Sequence, residues 1–123
     1  MTRSTFTPEE RTYLGSQPLG RLATVDPDGS PQNNPVGFVL TDTGQFVIGG
    51  FAMGGSRKFR NVRKNPNVAF VVDDLKSTDP WSPRMIEVRG TAEAIEDVDP
   101  PMRGMSREII RITPTWIKSF GVE

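Results

Sequence analysis

The chain has 123 residues, and its fifteen Lys and Arg side chains are balanced by fifteen Asp and Glu side chains. The length predicts one domain spanning residues 1–123, and the zero net charge gives no global field that would attract nucleic acid. Because the sequence contains neither cysteine nor histidine, it excludes disulfides, the usual zinc sites, Ser-His-Asp triads and Cys-His pairs. If the protein is an enzyme, we expect a cofactor to carry the chemistry.

The amino-terminal residues 1–6 carry no apolar signal core, and no stretch of the chain approaches eighteen apolar residues. We therefore expect a cytoplasmic protein that is neither exported nor embedded in a membrane. Residues 7–10 predict a helix start, with threonine at the N-cap, proline at the first helical position and glutamate three residues after the cap. This first helix is expected to run to about Leu14 and to stop at Gly15.

Six segments have the composition of β-strands and are separated by turn or loop signals. Turns are predicted at 26–30 and 41–44, and polar loops at 73–83 and 97–106. Because the strands follow one another in hairpins without long helical crossovers, we expect a mainly β fold whose antiparallel sheet closes into a small barrel. The predicted strands cover residues 17–26, 31–40, 45–51, 67–72, 85–96 and 107–120.

A glycine-rich loop leads from the third strand into a strongly basic helix predicted over residues 56–64. Five of the fifteen cations lie between positions 57 and 64, and no acidic residue occurs from position 43 to 72. Free N–H groups of the first helical turn, next to Arg57 and Lys58, would suit a phosphate. The alternative is the solvated face of a surface helix, and the residues alone leave both interpretations open. Neither a P-loop nor a dinucleotide-binding glycine motif is present.

Four motifs in succession resemble the pyridoxamine 5′-phosphate oxidase-like split β-barrel family. The closing motif is similar to the short actinobacterial branch that uses the deazaflavin coenzyme F420 in place of FMN. The resemblance implies a six-stranded antiparallel split barrel with two short helices, and a homodimer with two cofactor sites at the subunit interface. The motifs are LGRLATVDPDGSPQ at 19–32, GSRKFRNVRKNPNVAF at 55–70, EVRGTAE at 87–93 and RITPTWIKSFG at 111–121.

The resemblance also implies which residues bind the cofactor. In the family, the Ser-Arg-Lys segment holds the phosphate, and the strand before it lies beneath the ring system. The corresponding phosphate residues here are Ser56, Arg57, Lys58 and Asn61, with Ile48, Gly49 and Gly50 beneath the ring.

Two further groups complete the predicted site. The segment Asn34, Pro35, Val36 and Gly37 would line the ring, although Pro31 and Pro35 equally fit an edge or bulged strand. Trp81 and Arg84 would reach the partner's site, with local packing as the alternative for the tryptophan. No metal ligands are predicted, and no residue is assigned to catalysis.

The function implied by the resemblance is an F420H2-dependent reductase that transfers hydride to a conjugated small molecule. The alternatives are an FMN-dependent oxidoreductase of the same fold and a non-catalytic flavin- or deazaflavin-binding protein. The chain lacks the long carboxy-terminal extension and the substrate-binding histidine of true pyridoxamine phosphate oxidases, which argues against vitamin B6 chemistry. The substrate leaves no signature, because the expected pocket is lined by backbone and small residues.

Overall fold

The structure, a computed structural model, describes residues 3–122, which form one antiparallel sheet of seven strands with two α-helices. The predicted mainly β, antiparallel barrel fold is confirmed, with seven strands where six were expected. A 3-10 helix, Met53–Gly55, lies in the glycine-rich loop. The α-helices are α1, Pro8–Gly15, and α2, Arg57–Lys64; the strands are β1, Leu19–Val25, β2, Pro31–Gly37, β3, Val39–Leu40, β4, Phe46–Ile48, β5, Asn67–Thr78, β6, Trp81–Ile95, and β7, Ile109–Phe120.

The order of the strands forces the sheet to curl. The order is β2-β1-β5-β6-β7-β4-β3, yet the two edge strands are separated in the chain by Phe38 alone. The two edges must therefore meet, and Phe38 lies between them. Its ring centroid is 5.6 Å from that of Phe46 on β4 and 5.4 Å from that of Phe70 on β5, both edge-to-face. The result is a split barrel with an aromatic core.

Two segments differ from their predictions. The strand predicted over 31–40 is broken at Phe38, because the chain passes there from one sheet edge to the other. The prediction of a loop over 73–83 was wrong, since this region is the end of β5, a turn at Asp79-Pro80 and the start of β6. This hairpin arm is exposed or half-buried on both faces, so it lacks the apolar alternation that predicts a strand.

The capping box predicted for α1 is present. The Thr7 hydroxyl accepts the backbone N–H of Glu10 at 3.2 Å, and the Glu10 carboxylate accepts that of Thr7 at 2.9 Å. Arg3 donates two further hydrogen bonds to the buried Glu10 carboxylate, at 2.5 and 2.9 Å. Burial would raise the pKa of Glu10, but hydrogen bonds from Arg3, Thr7 and Ser119 outweigh it and lower this pKa to about 2.

A second polar cluster joins α1 to the β5–β6 hairpin. The Tyr13 hydroxyl donates to Asp74 at 2.8 Å, and Arg84 donates two hydrogen bonds to the same carboxylate at 2.9 and 2.5 Å. The Arg84 guanidinium also lies 5.0 Å from the centroid of the Tyr13 ring. Burial and the hydrogen bond to Asp74 raise the pKa of Tyr13 above its ordinary range.

Neither described helix is long and apolar enough to cross a membrane.

Candidate cofactor site

The basic helix α2 is fixed to the barrel by its cap and its apolar side chains. The Ser56 hydroxyl accepts the backbone N–H of Phe59 at 3.3 Å and donates to the Met53 carbonyl at 2.7 Å. Phe59 and Val62 are buried in the core. The predicted N-cap is thus confirmed, as is the helix end before the Asn65-Pro66 pair. This geometry leaves the backbone N–H groups of the first turn, at Arg57 and Lys58, without intrahelical acceptors.

The cations of α2 differ in their contacts. Arg63 forms an ion pair with Glu96, and its guanidinium lies 4.8 Å from the centroid of the Phe59 ring. Within residues 3–122, Arg57 and Lys58 form no ion pair. The two remaining cations of α2 are likewise without ion pairs there, so positive charge is available along the helix, and at its amino-terminal end the helix dipole adds to it.

A cleft of about 400 Å³ opens between α2 and the β1–β2 turn. The Asn61 side chain is buried there, and its amide donates to the Thr24 hydroxyl at 3.0 Å and to the Asp26 carboxylate at 2.8 Å. Because both hydrogens of the side-chain amide are used, the Asn61 side chain retains only its Oδ1 atom, an acceptor, for a ligand. The residues lining the cleft are Asp26, Pro27, Asp28, Arg57, Arg60, Asn61 and Lys64.

The predicted ring-lining segment lies on β2, the outermost strand beside β1, which confirms the edge position. Its register with β1 is continuous from Leu19 to Val25, so it is an edge strand without a bulge. Asn34 lies on the inner face opposite Leu22, and its Oδ1 atom is buried with no hydrogen-bond partner in the described part of the chain. A buried acceptor without a donor is uncommon in proteins. Asn34 does not line the α2 cleft, so its contact with a ring system stays a prediction.

The glycine-rich loop is covered by part of the loop between β6 and β7, residues 101–108, which we call the strap. A Cβ atom at Gly49 would lie 2.7 Å from Met105 Sδ and 2.8 Å from Pro101 Cδ. The strap therefore fills the space beside Gly49 that a side chain would occupy. At Gly55, by contrast, no other part of the described chain lies within 4 Å of where a Cβ atom would be. Ile48 is fully buried at the end of β4.

Trp81 and Arg84 lie in a different region from the α2 cleft. They line a groove of about 850 Å³ on the outer face of β5, β6 and β7, which shares no lining residue with the cleft. Trp81 is 69% exposed, while Arg84 is held by Asp74. Of the residues predicted to hold the phosphate, Arg57 and Asn61 line the α2 cleft, whereas Ser56 and Lys58 lie at the same helix end outside its lining. Contact of Trp81 and Arg84 with a cofactor stays a prediction that depends on a partner subunit.

Several residues around the site were not predicted from the sequence. Thr24 and Gln32 extend the Asn61 network, with the Thr24 hydroxyl donating to the Gln32 amide oxygen at 3.0 Å. A threonine on the inward-facing side of β1 was the available signal for this network. No local signal marks the strap, because its contacts join residues more than fifty positions apart.

The family model described as pyridoxamine 5′-phosphate oxidase matches residues 6–120. The chain belongs to this family. Among its relatives is the 5a,11a-dehydrotetracycline/5a,11a-dehydrooxytetracycline reductase of Streptomyces rimosus, which is 46% identical over 125 residues, covering 96% of this chain and 84% of that protein. The predicted resemblance is thus confirmed, and a reductase at this level of identity also confirms the prediction of an oxidoreductase.

Solved structures of similar fold agree with this membership in the pyridoxamine 5′-phosphate oxidase family. A structure described as an F420 reductase is 28% identical, with a TM-score of 0.67, and covers 91% of this chain and 98% of that chain. A conserved hypothetical protein of Mycobacterium tuberculosis has a TM-score of 0.76 at 21% identity, covering 100% of this chain and 91% of that chain. The second likeness bears on the fold alone.

Proposed function

We propose that this protein is a reductase that takes hydride from the reduced deazaflavin coenzyme F420 and transfers it to a conjugated small molecule. The observation that carries the proposal is the amino-terminal end of α2, where Arg57 and Lys58 lack ion pairs within residues 3–122. The relative from Streptomyces rimosus is named for the reduction of dehydrotetracyclines, and one similar structure is named as an F420 reductase.

The residues of the site fit a flavin-type cofactor with a phosphate. The phosphate would accept hydrogen bonds from the first turn of α2 and from the Arg57 and Lys58 side chains, each charge-assisted. The unpaired Asn34 Oδ1 would accept a hydrogen bond from the ligand. FMN and F420 would share these contacts.

The charge of the cleft favours F420 over FMN. Arg57, Arg60 and Lys64 follow one another along the cleft face of α2, at the spacing of successive helical turns. A single phosphate needs only the first turn, whereas the acidic tail of F420 would use the whole row. Asp26 and Asp28 also line the cleft, and hydrogen bonds from Ser30 lower the pKa of Asp28, so the three cations outnumber the acidic residues there by one.

The bound coenzyme would supply the hydride, and the protein would supply binding, orientation and a site shielded from water. A proton is also needed to complete the reduction. The chain has no histidine or cysteine, and its single tyrosine, Tyr13, is buried and donates its hydroxyl hydrogen to Asp74. We therefore assign the proton to water, which predicts no side-chain pKa near neutrality in the pH profile.

The proposal is tested by mixing the protein with reduced F420 and 5a,11a-dehydrotetracycline as a probe acceptor, and following coenzyme oxidation by absorbance. A parallel reaction contains reduced FMN, and a control reaction contains no protein. We expect protein-dependent oxidation of F420H2. Oxidation of reduced FMN alone would support the FMN-dependent alternative. Binding of F420 without turnover of any conjugated acceptor would support a carrier, and absence of binding would refute the proposal.

We further propose that two copies pair through the groove on the outer sheet face. Large apolar side chains are exposed there, with Leu75 at 43%, Trp81 at 69% and Phe120 at 56%. Exposed apolar surface of this kind marks interaction sites. The groove also holds Arg21 and Asp73, which pair with each other at 2.9 Å, and Lys118, whose charge a two-fold interface would have to match or leave at its rim.

A further inference from the structure

The strap is hydrogen-bonded to the glycine-rich loop through Ser106. The backbone N–H of Ser106 donates to the Gly50 carbonyl at 2.9 Å, and its hydroxyl donates to the same oxygen at 3.0 Å. The hydroxyl oxygen also accepts the backbone N–H of Met53 at 2.9 Å. One serine therefore fixes both the start of the loop and the beginning of its 3-10 helix.

Glu108 makes the next contact along the same loop. Its Oε1 atom accepts the backbone N–H of Gly54 at 2.7 Å, a charge-assisted hydrogen bond. A Cβ atom at Gly54 would lie 2.6 Å from that oxygen and 2.9 Å from the carboxyl carbon. A side chain at position 54 would therefore have to displace the Glu108 carboxylate. Gly54 lies two residues before Ser56, the N-cap of α2.

From these contacts we infer that Glu108 is a positioning residue, which holds Gly54 so that the first turn of α2 is presented to the cofactor's phosphate. The inference rests on the proposed function. A carboxylate near an anion-binding turn repels the ligand, so its charge alone predicts tighter binding when it is removed. A positioning role predicts weaker binding when Glu108 is removed. The affinity for the cofactor falls in proportion to the fraction of molecules whose loop has the binding geometry.

The test compares Glu108→Ala, Glu108→Gln and Asp99→Ala. Asp99 lies in the same loop but its side chain is 96% exposed and pairs with Arg107, so its removal changes the charge without touching the glycine-rich loop. Fluorescence titration with F420 should give a Kd about tenfold higher for Glu108→Ala, if about one molecule in ten keeps the competent loop. Glu108→Gln retains an acceptor oxygen and should bind as tightly as the wild type or more tightly, and Asp99→Ala should resemble the wild type.

A readout independent of the cofactor is amide hydrogen exchange at Gly54. Exchange should accelerate in Glu108→Ala and stay slow in Glu108→Gln. Gly54→Ala should weaken F420 binding by itself, because its Cβ meets the carboxylate, and should add little in the Glu108→Ala background. If Glu108→Ala folds poorly, Gly54→Ala still tests the inference.

Unchanged or tighter F420 binding in Glu108→Ala, or unchanged exchange at Gly54, would overturn the inference. If the wild type binds neither F420 nor FMN, the proposed function fails. The exchange experiment then still decides whether Glu108 holds the loop.

Discussion

At the scale of single residues, Lys58 and Arg63 carry the same charge on one helix but have different surroundings. Lys58→Ala removes a charge-assisted hydrogen bond worth roughly 1.5–3 kcal/mol, so the Kd for F420 should rise by about ten- to a hundredfold. Arg63→Ala is the matched control, because Arg63 is engaged by Glu96 and the Phe59 ring and should matter much less to the phosphate. Fluorescence titration and thermal melting measure the two effects, and we expect the melting temperature of Lys58→Ala to stay near that of the wild type.

Wild-type affinity in Lys58→Ala for both F420 and FMN would make α2 a solvated surface helix. Lys64→Ala adds a test of the acidic tail. Its effect should be confined to F420 and should weaken as salt is added, because exposed charges are screened.

A second residue-scale prediction concerns acid stability. The folded-state pKa of Glu10 is about 2, below its ordinary value of 4.5. The carboxylate therefore stabilises the fold fully above pH 4.5, and this contribution is lost as the pH falls towards 2. At pH 7, Glu10→Gln should reduce the free energy of unfolding by about 1.5–3 kcal/mol, the value of hydrogen bonds to a buried charge.

Urea unfolding at a series of pH values measures this effect. The difference between wild type and Glu10→Gln should shrink below pH 4.5 and nearly vanish close to pH 2. Glu9→Gln is the control, since Glu9 is exposed on the same helical turn. A constant difference across the pH range would show that packing, rather than the charge of Glu10, explains the loss.

At the scale of elements, the β5–β6 hairpin is held to α1 by Tyr13 and Asp74. Tyr13→Phe keeps the ring and its contact with Arg84 but removes the hydrogen bond to Asp74, which should cost about 0.5–1.5 kcal/mol. Amide exchange should accelerate in the hairpin arm, residues 73–83, more than in the rest of β5. Thr12→Ala is the control, because among residues 3–122 the Thr12 hydroxyl bonds to Pro8 of its own helix and not to the hairpin. Equal exchange in both variants would contradict a tether between the two elements.

Elements that depend on local interactions were predicted from the sequence, whereas elements that depend on contacts between distant residues were missed. The caps of α1 and α2 are local, so Thr7 and Ser56 were identified correctly. The final strand was also predicted despite its internal Pro114, which the structure accommodates opposite Gly90 at a shift in register. The hairpin arm was missed because it extends beyond the core and its few apolar residues do not alternate with polar ones. The strap was missed because a loop's polar contacts with a distant loop leave no periodic pattern.

At the scale of the whole molecule, we expect a dimer at micromolar concentration. Sedimentation should give twice the 13.6 kDa mass of the chain. Met85→Glu places a charge in the outer groove and should produce monomers, since burying an unpaired charge at an interface is costly. Thr91→Glu, at an exposed position on the same strand, should remain dimeric. A wild-type species of 13.6 kDa alone would contradict this expectation, and so would a dimeric Met85→Glu.

The pairing of β4 with β7 has a consequence for synthesis of the protein. Phe46 lies opposite Ile112 and Ile48 opposite Ile110, so β4 docks on a strand that is translated more than sixty residues later. While the ribosome is still adding β7, the β3–β4 unit has no strand to join, and its apolar side chains and open edge stay available to chaperones or to neighbouring nascent chains. Closure of the barrel therefore has to wait until β7 has left the exit tunnel.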